Sequence, residues 1–263
     1  MIHICYNFDV NRWKYAVISM ISVIENNKDV QICFHNFISA NLDEKIIKTI
    51  ENKIASKLVT IKFYKISKYN IKQQSYITSA GFYRLYAPNL LPHLKRVLYL
   101  DDDIICLGDI TELCNMKFQP QEWLKAVRDT KHWILWIFHR KYFKNLIERN
   151  KLQNSYFNSG MMLMNLEALR KADMQAKWEN LIDNPLPFSL FNDQDILNYT
   201  CAGHVQLLDL KWNYFSFLKH ASDVSPVLLH YAGPRKPWKS VKVKQYSYWK
   251  KYADLSGLID KTK

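Results

Sequence analysis

An α/β layered domain around a mainly parallel sheet is the fold this sequence predicts. Three observations carry that expectation. Short β-branched or aromatic runs alternate with longer helical patterns along the chain. The 263 residues are 48% hydrophobic and 14% aromatic, enough to fill the core of one domain. No Pro/Gly/Ser-rich linker, repeat or low-complexity tract interrupts the alternation.

In chain order, the pattern opens with a strand at His3–Tyr6, a helix at Trp13–Asn26 and a strand at Val30–Phe37. A helix at Leu42–Ile54, a strand at Thr60–Ile66 and a helix at Ser79–Ala87 follow. Pro88, with no N–H to continue the ladder, is expected to end that third helix. Strands at Arg96–Asp101 and Leu124–Arg128 precede a helix at Trp133–Glu148 and a strand at Gly160–Met164. Helices at Leu166–Ile182 and Asp193–Cys201, then strands at Val205–Leu208 and Val227–Tyr231, complete the series. In sheets of this kind ligands sit beyond the carboxyl ends of the strands, so chemistry is sought there.

No apolar run reaches the length of a membrane span, and the opening MIHICYNFDVNRW lacks a signal peptide's basic start and apolar core. A cytosolic location is expected. The five cysteines are scattered and form no C-x-x-C pair, which argues against both a disulfide framework and a zinc knuckle.

The formal charge of +13 points to a polyanionic partner. Much of it lies in Arg235–Lys263, where Trp238, Tyr246, Tyr248, Trp249 and Tyr252 are interleaved with the basic residues. A second basic, aromatic stretch runs from Lys131 to Lys151. Such mixtures suit an anionic membrane interface or RNA, and equally a solvated cationic face.

The strongest local signal is Arg96-Val-Leu-Tyr-Leu-Asp101-Asp102-Asp103, an apolar strand running into three carboxylates. In extended chain Asp101 and Asp103 project to one side and Asp102 to the other. Two converging carboxylates repel unless a divalent cation sits between them, and oxygen ligands suit Mg²⁺ or Mn²⁺. A solvated acidic turn is the alternative. His230, closing the strand Val227–Tyr231, fits a third protein ligand whose nitrogen favours Mn²⁺, or else a hydrogen-bonded core histidine. After it, Gly233 lets backbone N–H groups approach a phosphate, and Lys236 neutralises charge on a departing diphosphate. The six glycines form neither G-x-G-x-x-G nor a P-loop, so a metal is the natural counter-charge for a diphosphate. Asn158 and Ser159 offer donors and acceptors to sugar hydroxyls. Asp193 reads as a helix N-cap with Asp195 in the first turn, which leaves Gln194 unexplained.

Together these segments resemble glycosyltransferase family 8, the retaining GT-A family of lipopolysaccharide and lipooligosaccharide hexosyltransferases. The resemblance spans roughly Ile2 to Trp238. The family's D-x-D matches Asp101–Asp103, its F-N-[AS]-G matches Phe157–Gly160, its D-Q-D matches Asp193–Asp195, and its H-x-x-G-x-x-K-P-W matches His230–Trp238. The resemblance implies a GT-A fold, with Rossmann-like α/β/α layers around a mainly parallel mixed sheet, in a catalytic domain over residues 1–238. Residues 239–263 are left as a basic aromatic segment for membrane or acceptor docking, or else a helix packed on the domain with its basic face outward. It implies a UDP-hexose donor and Mn²⁺, or Mg²⁺, held by Asp101, Asp103 and His230. Asp9, Asn11, Arg84, Asp102, Asn158, Ser159, Gly233 and Lys236 are the donor-binding positions, with Asp9 and Asn11 on uracil and ribose. Asp129 falls where relatives touch sugar or acceptor.

Departures from the pattern are Asn7 and Phe8, where small residues are usual, Val10, where a second Asp is common, and Asp102 itself. Gln194, Asp193 and Lys236 are the expected catalytic residues. An amide oxygen is a poor nucleophile, so same-face attack on a cationic sugar is the preferred route. The partners implied are the donor, a glycan or glycolipid acceptor, and an anionic membrane surface met peripherally. A nucleic-acid-binding protein and a metal-dependent nucleotidyltransferase are the rival readings, and neither accounts for the His230–Trp238 segment.

Overall fold

The computed structural model describes residues 1–67, 79–130, 156–185, 193–218 and 224–259. The expected helix Trp133–Glu148 and basic stretch Lys131–Lys151 lie outside these residues.

The expected mainly parallel mixed sheet is present. Seven strands are involved: β1 (Ile2–Phe8), β2 (Ile32–Ser39), β3 (Val59–Ile66), β4 (Arg96–Leu100), β6 (Leu124–Arg128), β7 (Phe157–Asn165) and β8 (Val205–Leu208). They lie in the order β3-β2-β1-β4-β7-β6-β8. β7 runs antiparallel to both its neighbours, and every other pairing is parallel. A second sheet joins β5 (Ile104–Cys106), β10 (Leu228–His230) and β9 (Tyr214–Phe215).

Two apolar clusters flank the large sheet because alternate strand residues face opposite sides. Ile4, Tyr6 and Phe8 join one with Ile32 and Phe34, and Cys5, Phe37 and Tyr99 join the other. α1 (Trp13–Asn26) and α2 (Glu44–Ile54) contribute to the first. α5 (Leu166–Lys171), α6 (Met174–Asp183) and α7 (Asp193–Thr200) contribute to the second, so the sheet is a central layer.

Two helical expectations need correction. Pro88 begins a helix rather than ending one: Ser79–Tyr86 winds as a 3₁₀ helix, and Pro88 sits in the first turn of α3 (Ala87–Leu90). A first-turn N–H has no intrahelical partner, so its loss is tolerated there. The single helix expected over Leu166–Ile182 is two, α5 and α6. Asp173 separates them in the left-handed conformation (φ 50°), which Asp adopts more readily than most residues. A short helix α4 (Thr111–Asn115) was not anticipated.

The carboxyl-terminal segment folds as α8 (Tyr246–Ser256). Trp249, Tyr252, Ala253 and Ser256 recur at helical spacing and are buried. They enclose a third cluster with Ile18, Ile105, Tyr214, Leu229 and Tyr231. Asn26 Nδ2 donates to Tyr252 Oη at 2.8 Å, tying α8 to α1. Two of the rings expected at a lipid interface, Trp249 and Tyr252, are therefore core residues. Among the described residues no helix is long and apolar enough to cross a membrane.

Candidate active site

β4 delivers the acidic triad. Its last pair is Leu100 with Met161, after which Asp101 N donates to Gly160 O at 2.8 Å and the chain turns into β5. β10 pairs antiparallel with β5, His230 opposite Ile104, and Tyr231 N donates to Asp103 O at 3.0 Å. That pairing brings the distant His230 beside Asp101 and Asp103. The third side is β7, whose register against β6 jumps from Ala126–Met162 to Val127–Asn158. The bulge lays Asn158–Gly160 along the end of β4.

The resulting cleft, of about 420 Å³, is lined by every site residue expected from sequence except Asp9 and Asn11. Those two stay in the β1–α1 turn, where Asp9 Oδ1 accepts from Asn11 N at 2.8 Å. Asn7, Phe8 and Arg12 line the cleft from that turn instead. Asn7 donates to Ala80 O at 2.7 Å, while its buried Oδ1 makes no hydrogen bond.

Asp101, Asp103 and His230 place one ligand atom each within 4.8 Å of one another. His230 Nε2 is 3.1 Å from Asp103 Oδ1 and 3.9 Å from Asp101 Oδ2. Asp103 Oδ1 is buried and meets no donor other than that ring nitrogen. Lys236 contacts its other oxygen. Burial raises the Asp103 carboxyl, but Lys236 and His230 overcome this and hold it well below the usual carboxylate range. Asp101, Asp102, Asp103, Asp129 and Asp193 line the cleft against Arg12, Arg84 and Lys236, with exposed Lys239 beside them. That Asp103 oxygen, the mixed O and N donor set and the acidic excess fit a divalent cation.

The second candidate ligand group, His3, Cys33 and His35, does not share these features. His3 Nδ1 and His35 Nε2 bond each other at 3.0 Å, and His35 Nδ1 meets Tyr64 Oη at 3.0 Å. Burial, then His3 and Lys62, push His35 down to about 4, which describes a neutral packed pair in a cationic neighbourhood.

Several expected donor contacts are committed to the framework instead. Asp102 has both oxygens held by Arg12, whose guanidinium lies 4.6 Å from the Trp238 ring centroid. Arg84, expected on the donor, is buried between Asp101 Oδ1 (2.9 Å) and Asp193 Oδ2 (3.1 Å). Its own burial works against its charge, and Asp101 and Asp193 more than restore it. Ser159 accepts from Arg84 through both its carbonyl and its hydroxyl, at 2.8 and 3.2 Å. Asn158 has no valence left for a sugar. Its Oδ1 accepts from Gly160 N and Asn213 Nδ2, both at 3.0 Å, and its Nδ2 donates to Gln194 Oε1 and Asp129 Oδ2 at 3.2 and 3.3 Å. Gln194 Oε1 also accepts from Ser159 N at 3.0 Å, and Gln194 Nε2 donates to Asp129 Oδ2 at 3.1 Å.

Gly160 belongs to the site by what it lacks. A Cβ there meets His230 Cε1 at 2.3 Å and Asp101 Oδ2 at 2.9 Å, so no side chain fits between the triad and the ring. Asn213, Arg12, Phe215 and Phe217 are further site residues that sequence reasoning missed.

With this geometry in view, comparison with known proteins decides the family. The model of glycosyl transferase family 8 matches residues 3–242. The chain belongs to that family. It is a glycosyltransferase, as the four motifs imply. Over 254 residues it is 30% identical to the lipopolysaccharide 1,2-glucosyltransferase of Escherichia coli, covering 90% of this chain and 73% of the relative. It is 27% identical over 251 residues to the lipopolysaccharide 1,3-galactosyltransferase of Salmonella typhimurium, again 90% and 73%. The galactosyltransferase LgtC, solved with donor and acceptor sugar analogues, superposes with a TM-score of 0.77 at 22% identity, covering all of this chain and 98% of its own. The GT-A fold expected of family 8 is the fold observed.

Arg84 gives the first prediction. Replacing it leaves Asp101 and Asp193 in the site without their counter-charge, a loss of about 3–5 kcal/mol for a buried pair. Arg84→Gln should lower the stability of the metal-free protein by that order in urea denaturation, and Asp193→Asn in the same background should recover part of it.

Proposed function

We propose that this family 8 enzyme is a retaining hexosyltransferase that moves galactose or glucose from a UDP-sugar to a bacterial surface glycan such as lipopolysaccharide. Mn²⁺, with Mg²⁺ as the alternative, is bound by Asp101, Asp103 and His230. The observation that carries the reading is the meeting of two carboxylates and one imidazole nitrogen in a cleft also lined by Gly233 and Lys236. The acceptor class follows the relatives named above, which act on lipopolysaccharide.

A divalent cation at that site supplies Lewis-acid neutralisation of the departing diphosphate. The chain's own residues do the remaining work. Lys236, beside Asp103, adds positive charge where the diphosphate leaves. Gly233, at φ +88°, gives the backbone the close approach a phosphate needs. Gln194 Oε1 is engaged by Ser159 N and Asn158 Nδ2, and an oxygen so occupied makes a weak nucleophile. That favours same-face attack, with Gln194 and Asp193 orienting and stabilising a cationic sugar. Burial raises the Asp193 carboxyl, Arg84 opposes it, and the result of about 6 leaves it ionised at neutral pH. Its Oδ2 is paired with Arg84 Nε at 3.1 Å, which fixes the carboxylate in the cleft for that role. Asp129, held by Asn158 and Gln194, is the proposed contact to the acceptor.

A panel of UDP-sugars with Mn²⁺, scored by UDP release, tests the reading. Slow hydrolysis of one UDP-hexose should stop in EDTA and return with Mn²⁺. Asp101→Asn and Asp103→Asn should each lower kcat by about 100-fold or more. Full turnover in chelator contradicts the metal assignment.

The carboxyl-terminal segment fits peripheral docking at the cytoplasmic membrane surface, where a lipid-anchored acceptor is concentrated. Lys242, Lys244, Lys250 and Lys251 are exposed, and so are Val241, Tyr248 and Leu255. Each Lys near an anionic surface contributes about 1 kcal/mol, so losing three weakens binding by about 100-fold and reversing their charge weakens it further. Lys242→Glu, Lys244→Glu and Lys251→Glu combined should abolish salt-sensitive binding to phosphatidylglycerol vesicles while UDP-sugar hydrolysis is unchanged. Vesicle binding that survives all three contradicts docking through this segment.

A further inference from the structure

We infer that Asn213 is the positioning residue that keeps a hydrogen on Nδ1 of His230 and so leaves Nε2 as the ring nitrogen offered to a cation between the two carboxylates. The inference rests on the metal reading above for its purpose, but its geometry is independent of it. Asn213 closes the 3₁₀ turn Leu210–Asn213, is completely buried and touches no expected substrate group. Its role follows from which atoms must be donors.

An amide side chain can be turned over, so its orientation has to be anchored by groups of unambiguous polarity. Two backbone N–H groups provide the anchors. Gly160 N donates at 3.0 Å to Asn158, so the atom it meets is Oδ1. Ser159 N donates at 3.0 Å to Gln194, so that atom is Oε1, and the Asn158 atom facing it must be Nδ2. The two anchors agree on Asn158. Its Oδ1 then takes a second hydrogen from Asn213, which must offer Nδ2, at 3.0 Å. Asn213 is left with Oδ1 toward His230, 2.8 Å from Nδ1. An acceptor there requires the hydrogen on Nδ1. Nε2, 3.1 Å from Asp103 Oδ1, is therefore the ring nitrogen that can give up its hydrogen and take a cation.

Without this chain the ring has a more favourable choice in the absence of an ion. A hydrogen on Nε2 would bond the carboxylates directly and close the site to a cation. The relay opposes that state, because it would set Nδ1 lone pair against Asn213 Oδ1 and break the succession back to the backbone. The same Asn158 also holds Gln194 and Asp129, so one amide orients the ligand side and the sugar side of the cleft together. Partners of a ligating histidine's second nitrogen commonly contribute about 10–100-fold to metal affinity.

The test reads the tautomer before any metal is added. In metal-free protein carrying ¹⁵N-labelled histidine, His230 is identified as the signal lost in His230→Gln. The expected wild-type spectrum, taken at a pH where the ring carries one hydrogen, has that hydrogen on Nδ1, and a singly protonated ring with its hydrogen on Nε2 overturns the inference whatever the variants do. Asn213→Ala should lose the preference and lower Mn²⁺ affinity, measured by electron paramagnetic resonance with UDP present, by about 10–100-fold. Asn213→Asp keeps an acceptor on Nδ1 but sets a carboxylate oxygen against Asn158 Oδ1, so it should retain the tautomer and recover only part of the affinity. Unchanged tautomer and affinity in a folded Asn213→Ala protein also overturn it. Wild-type protein that shows the expected tautomer yet binds no Mn²⁺ supports the relay and removes the metal reading instead.

Discussion

Asp101 and Asp103 point the same way from the end of a buried strand, and like charges this close repel in a medium that screens them poorly. Much of the architecture around them answers that repulsion. Arg84 reaches Asp101 from the 3₁₀ helix before α3, Lys236 reaches Asp103 from the loop after β10, and Arg12 reaches Asp102 from the turn after β1. Each contact comes from a different element, so that turn, the 3₁₀ helix and the loop after β10 are drawn to one point. What remains unmet is one Asp103 oxygen facing the His230 nitrogen. Had lysine or arginine taken every oxygen of these carboxylates, nothing would be left for an ion to bind; Asp103 Oδ1 is left.

The residues around the triad divide into those that hold the geometry and those proposed to act. Asn158, Ser159 and Asn213 spend their hydrogen bonds on other side chains and on backbone, and such fully satisfied networks fix geometry. Lys236, Gly233, Gln194 and Asp193 keep a face toward the cleft. The division explains why a motif such as F-N-S-G carries so many roles in four residues. Phe157 packs in the core, Asn158 and Ser159 set neighbouring amides and Arg84, and Gly160 leaves room for the His230 ring.

The strands and the acidic triad were legible in the sequence because their signals are local. A period-2 apolar run and three consecutive carboxylates need no tertiary context, and Leu124–Arg128 and Val205–Leu208 match their expected bounds. His230 was legible by its place at a strand end. Asn213 was not, because nothing in Leu210–Asn213 marks an asparagine whose partners lie on β7 and β10. Arg12 was hidden for the same reason: its partner Asp102 is 90 positions away. The split of Leu166–Ile182 turned on one backbone conformation at Asp173, which apolar periodicity does not register. In the carboxyl-terminal segment, basic composition obscured a helical spacing of Trp249, Tyr252, Ala253 and Ser256 that marks a buried face.

The central claim is that the end of β4 is built around a cation, and crystals grown with Mn²⁺ and UDP test it most directly. Anomalous diffraction at the manganese edge should place one strong peak between Asp101, Asp103 and the Nε2 of His230, in contact with the diphosphate. Well-ordered UDP in the cleft with no anomalous peak there, or with Lys236 alone on the diphosphate, would contradict the account.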